Sequence, residues 1–157
     1  MKSCGKAFIL ILLSTFLLAF SSSWGQQGRP PVVAVAQVGA EELLARPVGE
    51  NWTSYNGDYT GRRYSSLRDI NSGNVAHLRA AWVFHPGNSE RLEVTPVVIH
   101  GIMYVTSAND AFALDARTGR VLWHYDRPVS SGLLDDAAAH HSRGVGVWRN
   151  SVYMETD

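Results

Sequence analysis

Between Thr95 and Glu155 the chain carries a succession of apolar runs of about four to six residues, too short for helices and suited to strands. The apolar runs are TPVVI (95–99), IMYVT (102–106), AFAL (111–114), VLWHY (121–125), VGVW (145–148) and VYME (152–155). Each is rich in β-branched or aromatic residues and bounded by Gly, Asn or Asp, the composition that fits a pleated, half-buried surface. His100-Gly101 and Arg149-Asn150 are two-residue connections, as tight hairpins require. No stretch after Asn51 keeps a helical period over ten residues. The sequence therefore predicts an all-β meander of short antiparallel strands, compatible on periodicity alone with a sandwich, a barrel or a propeller.

The N-terminus reads differently. Lys2 and Lys6 precede an almost unbroken apolar run, Ala7 to Phe20, followed by Ser21-Ser22-Ser23-Trp24-Gly25. That order is the anatomy of a secretory signal peptide, and the run is shorter than the roughly 20 apolar residues a bilayer span needs. Residues 1–25 are expected to be a leader for export to the periplasm or beyond. The one cysteine, Cys4, lies inside it, so the mature chain has no thiol for a disulfide. Residues 26–50 carry Gly, Pro, Val and Ala without a clear period and read as a linker, with a short helix around Glu41 to Ala45. The chain holds 14 basic and 14 acidic residues. Losing Lys2 and Lys6 leaves a balance of −2, which offers no electrostatic footprint for nucleic acid.

An internal repeat narrows the choice of fold. Asn71 to Trp82 and Ala113 to Trp123 both pass from a polar turn into a strand ending in tryptophan, and the two tryptophans stand 41 residues apart. That spacing falls near the repeat length of four-stranded propeller blades. The second copy, Ala113-Leu114-Asp115-Ala116-Arg117-Thr118-Gly119-Arg120-Val121-Leu122-Trp123, resembles the tryptophan-docking motif of the alcohol dehydrogenases that depend on pyrroloquinoline quinone (PQQ). Its parts make physical sense: Asp115 and Thr118 bond the backbone of their own turn, Gly119 supplies a positive φ, and Trp123 offers a broad face to bury. The motif builds blades and performs no chemistry.

The wider resemblance covers about Asn51 to Asp157. It opens on Asn51-Trp52-Thr53-Ser54-Tyr55-Asn56-Gly57-Asp58 and continues through Tyr64-Ser65, Leu67, Ile70-Asn71, Asn74-Val75 and Leu78 to Trp82. It implies an eight-bladed β-propeller of four-stranded antiparallel blades, of which residues 51–157 would hold the first one to two. The opening segment would then serve as the outermost strand of the last blade. The chain stops at Asp157 inside a strand pair, which reads as a truncated N-terminal fragment.

The resemblance also assigns cofactor contacts. Glu93, in Leu92-Glu93-Val94-Thr95-Pro96, matches a glutamate that hydrogen-bonds PQQ, and Arg143, in Ser142-Arg143-Gly144-Val145, matches an arginine that pairs with its carboxylates. A guanidinium fork binds carboxylate bidentately, which suits a ligand carrying three of them. A lone Glu or Arg at a strand end is ordinarily a solvated charge; the family match is what favours the cofactor role. One departure stands out. Where methanol- and ethanol-oxidising relatives carry two adjacent cysteines, this chain has Ala137 and Ala138. The vicinal disulfide over one face of the quinone is absent, and two methyl groups take its place.

Other constellations carry less. His140 and His141 are adjacent, and neighbours on a strand point to opposite faces, so the pair does not make one metal site; one of them could line the cofactor pocket. Asp135-Asp136 reads as a solvated acidic turn, with a calcium contact as the alternative. Gly144-Val145-Gly146 lacks the third glycine and the following helix of a dinucleotide loop, which excludes nicotinamide binding.

The resemblance implies a periplasmic quinoprotein dehydrogenase that oxidises an alcohol or a sugar hydroxyl to a carbonyl. It further implies Ca²⁺ or a related ion whose ligands lie beyond residue 157, a general base also outside this segment, and a cytochrome c or membrane quinone as electron acceptor. No catalytic residue and no metal ligand is expected within the fragment, which alone would be inactive. The rival reading is a PQQ-like propeller acting as a cell-envelope scaffold without cofactor; such a protein has no reason to keep both Glu93 and Arg143.

Overall fold

The computed structural model describes residues 35–87, 92–128, 130–132 and 142–156. The expected leader, Asp135, Asp136, Ala137, Ala138, His140 and His141 lie outside the described residues. Six strands follow one another: β1 (Val97–Ile99), β2 (Ile102–Thr106), β3 (Asp110–Asp115), β4 (Val121–Asp126), β5 (Val145–Trp148) and β6 (Ser151–Met154). The first four form one antiparallel sheet in the order β1-β2-β3-β4, and β5 and β6 pair as a hairpin. The short helix predicted around Glu41 is present as α1 (Ala40–Leu44), and a single 3₁₀ turn covers Val75–His77.

The meander forms because its turns suit it. His100 (φ 50°) and Gly101 (φ 77°) both take left-handed backbone, the twist that matches tight hairpins, so Ile99 pairs with Ile102. The β3–β4 connection is the predicted motif turn. Asp115 Oδ1 accepts from the N–H groups of Arg117 and Thr118, both at 3.0 Å, and Gly119 N–H donates to the Asp115 carbonyl at 2.8 Å. Gly119 has φ 70°.

Burial grades across the sheet. β3 is buried on both faces, whereas β4, the outer strand, is largely exposed. On one side of β3, Ala113 joins Val97, Ile99, Tyr104 and Val147, with Ala36 and Val38 completing the cluster. On the other, Phe112 and Leu114 pack with Val105 under Trp82 and Phe84. Phe84 meets Phe112 edge-on at 5.0 Å.

Within the stretch expected to be a linker, residues 35–50 are fixed to this core. Ala36 N–H donates to the hydroxyl of fully buried Tyr104 at 2.8 Å, and Val38 exchanges two backbone hydrogen bonds with Arg149 at 3.0 and 2.8 Å. Val48, 1% exposed, bridges to Ser65. The absence of a period misleads here because single residues, not a regular element, are what the core takes up. The opening of the propeller segment also meets the sheet. The resemblance places it in the outermost strand of another blade. Within this chain Trp52 forms an isolated antiparallel bridge with Val98 of β1, through bonds of 2.7 and 2.9 Å. Val98 would otherwise present its N–H and C=O unpaired along the far edge of β1.

Candidate functional site

Glu93 stands four residues ahead of β1 and Arg143 two residues ahead of β5, so each lies on the approach to the first strand of its sheet. The two approaches run side by side. Thr95 N–H donates to the Arg143 carbonyl at 3.2 Å, stitching the segments together backbone to backbone. Gly144 (φ 133°) makes this proximity sterically admissible, since a Cβ there would lie 3.1 Å from the Thr95 carbonyl oxygen. Next to this contact, Arg143 Nε lies 3.9 Å from Glu93 Oε2.

The chemistry of this pair follows from its exposure. The Arg143 side chain is 73% exposed and that of Glu93 41%. An ion pair so open to water adds little to stability, because solvent screens it and ordering two long side chains costs entropy. The same exposure keeps the guanidinium fork accessible to an incoming carboxylate. Behind it, Ser142 is buried at 8% exposure, and its Oγ accepts from the Gly144 N–H at 3.4 Å. The site thus joins an outward-facing cation and anion to a backbone whose position is held from inside.

Of the four residues the resemblance assigned to the cofactor, two are described and the structure brings them together. Ala137 and Ala138 lie outside the described residues. Among the described residues no three His, Cys, Asp or Glu side chains gather as metal ligands, and no helix is long and apolar enough to cross a membrane.

Two features were not read from the sequence. Asp110, buried in β3, accepts from Ser107 Oγ at 3.0 Å and pairs with His124 Nε2 at 2.7 Å, while the His124 ring stacks on Phe112 at 4.2 Å. The cross-strand register that sets Phe112 opposite His124 makes this cluster, and only the pairing of β3 with β4 reveals it. It gives a buried carboxylate its partners. The other feature is a groove of about 670 Å³ bounded by Val35, Ala111, Trp123, Tyr125, Val152 and Met154, away from both Glu93 and Arg143.

Comparison with known proteins matches residues 52–156 to the β-propeller domain of the glucose/ethanol/alcohol dehydrogenase family, designated PQQ. The dehydrogenase subunit of the quinone-dependent alcohol dehydrogenase of Gluconobacter oxydans is 38% identical over 108 residues, 68% of this chain and 14% of the relative. The quinohemoprotein alcohol dehydrogenase of Comamonas testosteroni is 36% identical over 154 residues, 92% of this chain and 21% of the relative. Among solved structures, quinohemoprotein alcohol dehydrogenase ADHIIG of Pseudomonas putida superposes with a TM-score of 0.67 at 34% identity, covering 79% of this chain and 18% of that one. A europium-containing methanol dehydrogenase gives 0.57 at 30% identity over 68% of this chain and 19% of its own. The chain therefore spans about a fifth or less of the length of the relatives it matches, and its strands are those of a β-propeller.

Proposed function

This chain belongs to the PQQ glucose/ethanol/alcohol dehydrogenase β-propeller family, and on that premise we propose that it supplies part of the cofactor site of an enzyme oxidising an alcohol, or a sugar hydroxyl, to a carbonyl. One observation carries the reading. Glu93 and Arg143, distant in sequence, face each other at 3.9 Å on the approaches to β1 and β5. A scaffold without a ligand gains almost nothing from so exposed a pair, whereas a cofactor bearing carboxylates would engage the open guanidinium fork beside Glu93.

The residues fit such a group. Arg143 presents a planar, permanently charged donor fork, Glu93 adds an acceptor beside it, and the space a Cβ of Gly144 would take is kept clear. When bound, PQQ supplies the acceptor for the two electrons leaving the alcohol. The chain's own part is to bind and orient: Arg143 takes a carboxylate bidentately, and Glu93 fixes the ring's direction through a hydrogen bond. Ala137 and Ala138 would form a small apolar platform against one face. A divalent or related cation, held by residues elsewhere in the protein, completes the site. Electrons pass on to a cytochrome c or a membrane quinone, and residues 1–25 direct export to the periplasm.

The test is direct. The full-length protein, loaded with PQQ and either Ca²⁺ or a lanthanide ion, is assayed with an artificial electron acceptor against a panel of primary alcohols and sugars. Substrate-dependent reduction that requires PQQ supports the proposal. Binding of PQQ with no turnover on any hydroxyl compound would refute the reaction while keeping the site. Absence of both would favour the scaffold.

A further inference from the structure

Gly144 follows Arg143 directly and packs on the segment that carries Glu93. Gly144 has φ 133°, a backbone conformation that L side chains rarely adopt, and its missing Cβ would meet the Thr95 carbonyl oxygen at 3.1 Å and Val94 Cγ2 at 3.8 Å. On the same two segments, Thr95 N–H donates to the Arg143 carbonyl at 3.2 Å and Ser142 Oγ accepts from Gly144 N–H at 3.4 Å. A side chain at 144 would be strained in this backbone and would require the Thr95 carbonyl to give by a few tenths of an ångström, next to the residue that stands 3.9 Å from Glu93. Tertiary stability has little stake in that separation, because both charged side chains are substantially exposed.

We infer that Gly144 is a positioning residue for carboxylate capture: it holds the Arg143 fork and Glu93 at the spacing a planar polycarboxylate needs, and it acts only through Arg143. The inference rests on the cofactor reading of Arg143 given above. It adds a residue that makes no contact of its own with the ligand. A fork binding two oxygens in parallel loses one bond on a displacement of about an ångström, so small backbone shifts at 143–144 have a large effect on affinity.

The experiment is a double-mutant cycle on the full-length apo-protein, titrated with PQQ and followed by the absorbance and fluorescence of the cofactor, without substrate. Arg143→Ala is expected to weaken binding by about tenfold or more, and Gly144→Ala by about tenfold. The Gly144→Ala/Arg143→Ala double variant should bind no more weakly than Arg143→Ala alone, within about twofold. Factors that multiply in the double variant, or wild-type affinity in Gly144→Ala, would overturn the inference while leaving the cofactor site intact. Wild-type affinity in Arg143→Ala would instead remove Arg143 from the cofactor site, and the inference with it. Should Gly144→Ala not accumulate as folded protein, Ser142→Ala decides, since it leaves residue 144 a glycine and removes only the hydroxyl that accepts from the Gly144 N–H. A several-fold weakening that vanishes in the Arg143→Ala background supports the inference, and unchanged affinity overturns it.

Discussion

Trp82 lies against Gly119: a Cβ on that glycine would come within 2.6 Å of the indole ring, and Trp82 Nε1–H donates to the Ala116 carbonyl at 3.2 Å. The motif turn is therefore a seat for the tryptophan of the preceding repeat. Gly119→Ala should destabilise by about 1–3 kcal/mol, from left-handed strain together with overpacking against the ring. Trp82→Phe, which keeps the ring stack and loses one hydrogen bond, should cost about 1 kcal/mol. Hydrogen–deuterium exchange of the 112–126 segment in the full-length protein reports both. Unchanged protection in Gly119→Ala would mean that the indole does not sit on the turn.

Tyr104 ties the segment before α1 to the sheet. Its hydroxyl is the acceptor for Ala36 N–H inside the core, and burial pushes the phenol above its ordinary pKa, so it stays neutral. Tyr104→Phe leaves that N–H without its partner and should cost about 1–2 kcal/mol. The loss should appear as faster exchange at residues 35–38, with β3 unaffected. Equal exchange in both proteins would contradict the anchoring role.

Asp115 gives the turn a pH dependence. Its hydrogen bond with the Thr118 side chain, helped by the N–H groups of Thr118 and Arg117, holds the carboxyl below the ordinary aspartate range. Asp58 is lowered in the same direction, chiefly by its hydrogen bond with the Thr60 hydroxyl. A carboxylate whose pKa falls on folding adds stability above its unfolded pKa of about 4, and that stability is lost as pH drops through the folded value. Thermal midpoints should be level from neutral pH down to about pH 5 and decline below about pH 4. Asp115→Asn should be less stable at neutral pH and show a shallower acid decline. An acid decline identical to wild type would exclude Asp115 as a source of it.

Ala137 and Ala138 make the platform proposal testable. Enlarging either to Leu against the face of the cofactor should weaken PQQ binding by about 1–3 kcal/mol through overpacking. A surface loop would tolerate the same change within about 0.5 kcal/mol. Thiol reductants should leave the wild-type enzyme's activity unaltered, provided no cysteine elsewhere in the protein matters. Wild-type PQQ affinity in both leucine variants would mean that Ala137 and Ala138 do not touch the cofactor.

Most of the fold was legible because its signals are local. Strand periodicity, the His100-Gly101 turn and the Asp115–Gly119 turn each lie within a few residues, and β2 and β5 occupy the predicted spans. What escaped depends on non-local packing. Ala36 and Val38 read as linker because isolated residues entering a core leave no period, although both are buried. The Trp82–Gly119 contact was not read from the repeat spacing, because it joins residues far apart in the chain. Trp123, expected to offer a broad face for burial, packs partly buried beside Tyr104, with ring centroids 6.0 Å apart. The Asp110–His124 pair needs the β3–β4 register, which a bulge at Ala113/Leu114 shifts, so no spacing rule would have found it. For the site, the resemblance supplied Glu93 and Arg143 separately. Their meeting at 3.9 Å and the close approach of Gly144 to the Thr95 carbonyl come from tertiary structure alone.

The central claim is that Arg143 and Glu93 hold the cofactor together. Its most direct test is the equilibrium titration of full-length apo-protein with PQQ for wild type, Arg143→Lys, Arg143→Ala and Glu93→Gln. Lysine keeps the charge but loses the fork, and each lost charged bond is worth about 1.5–3 kcal/mol. Affinity should therefore fall in the order wild type, Arg143→Lys, Arg143→Ala, with Glu93→Gln also weakened. Wild-type affinity in both Arg143→Ala and Glu93→Gln would contradict the account, and the pair would then be an ordinary surface ion pair.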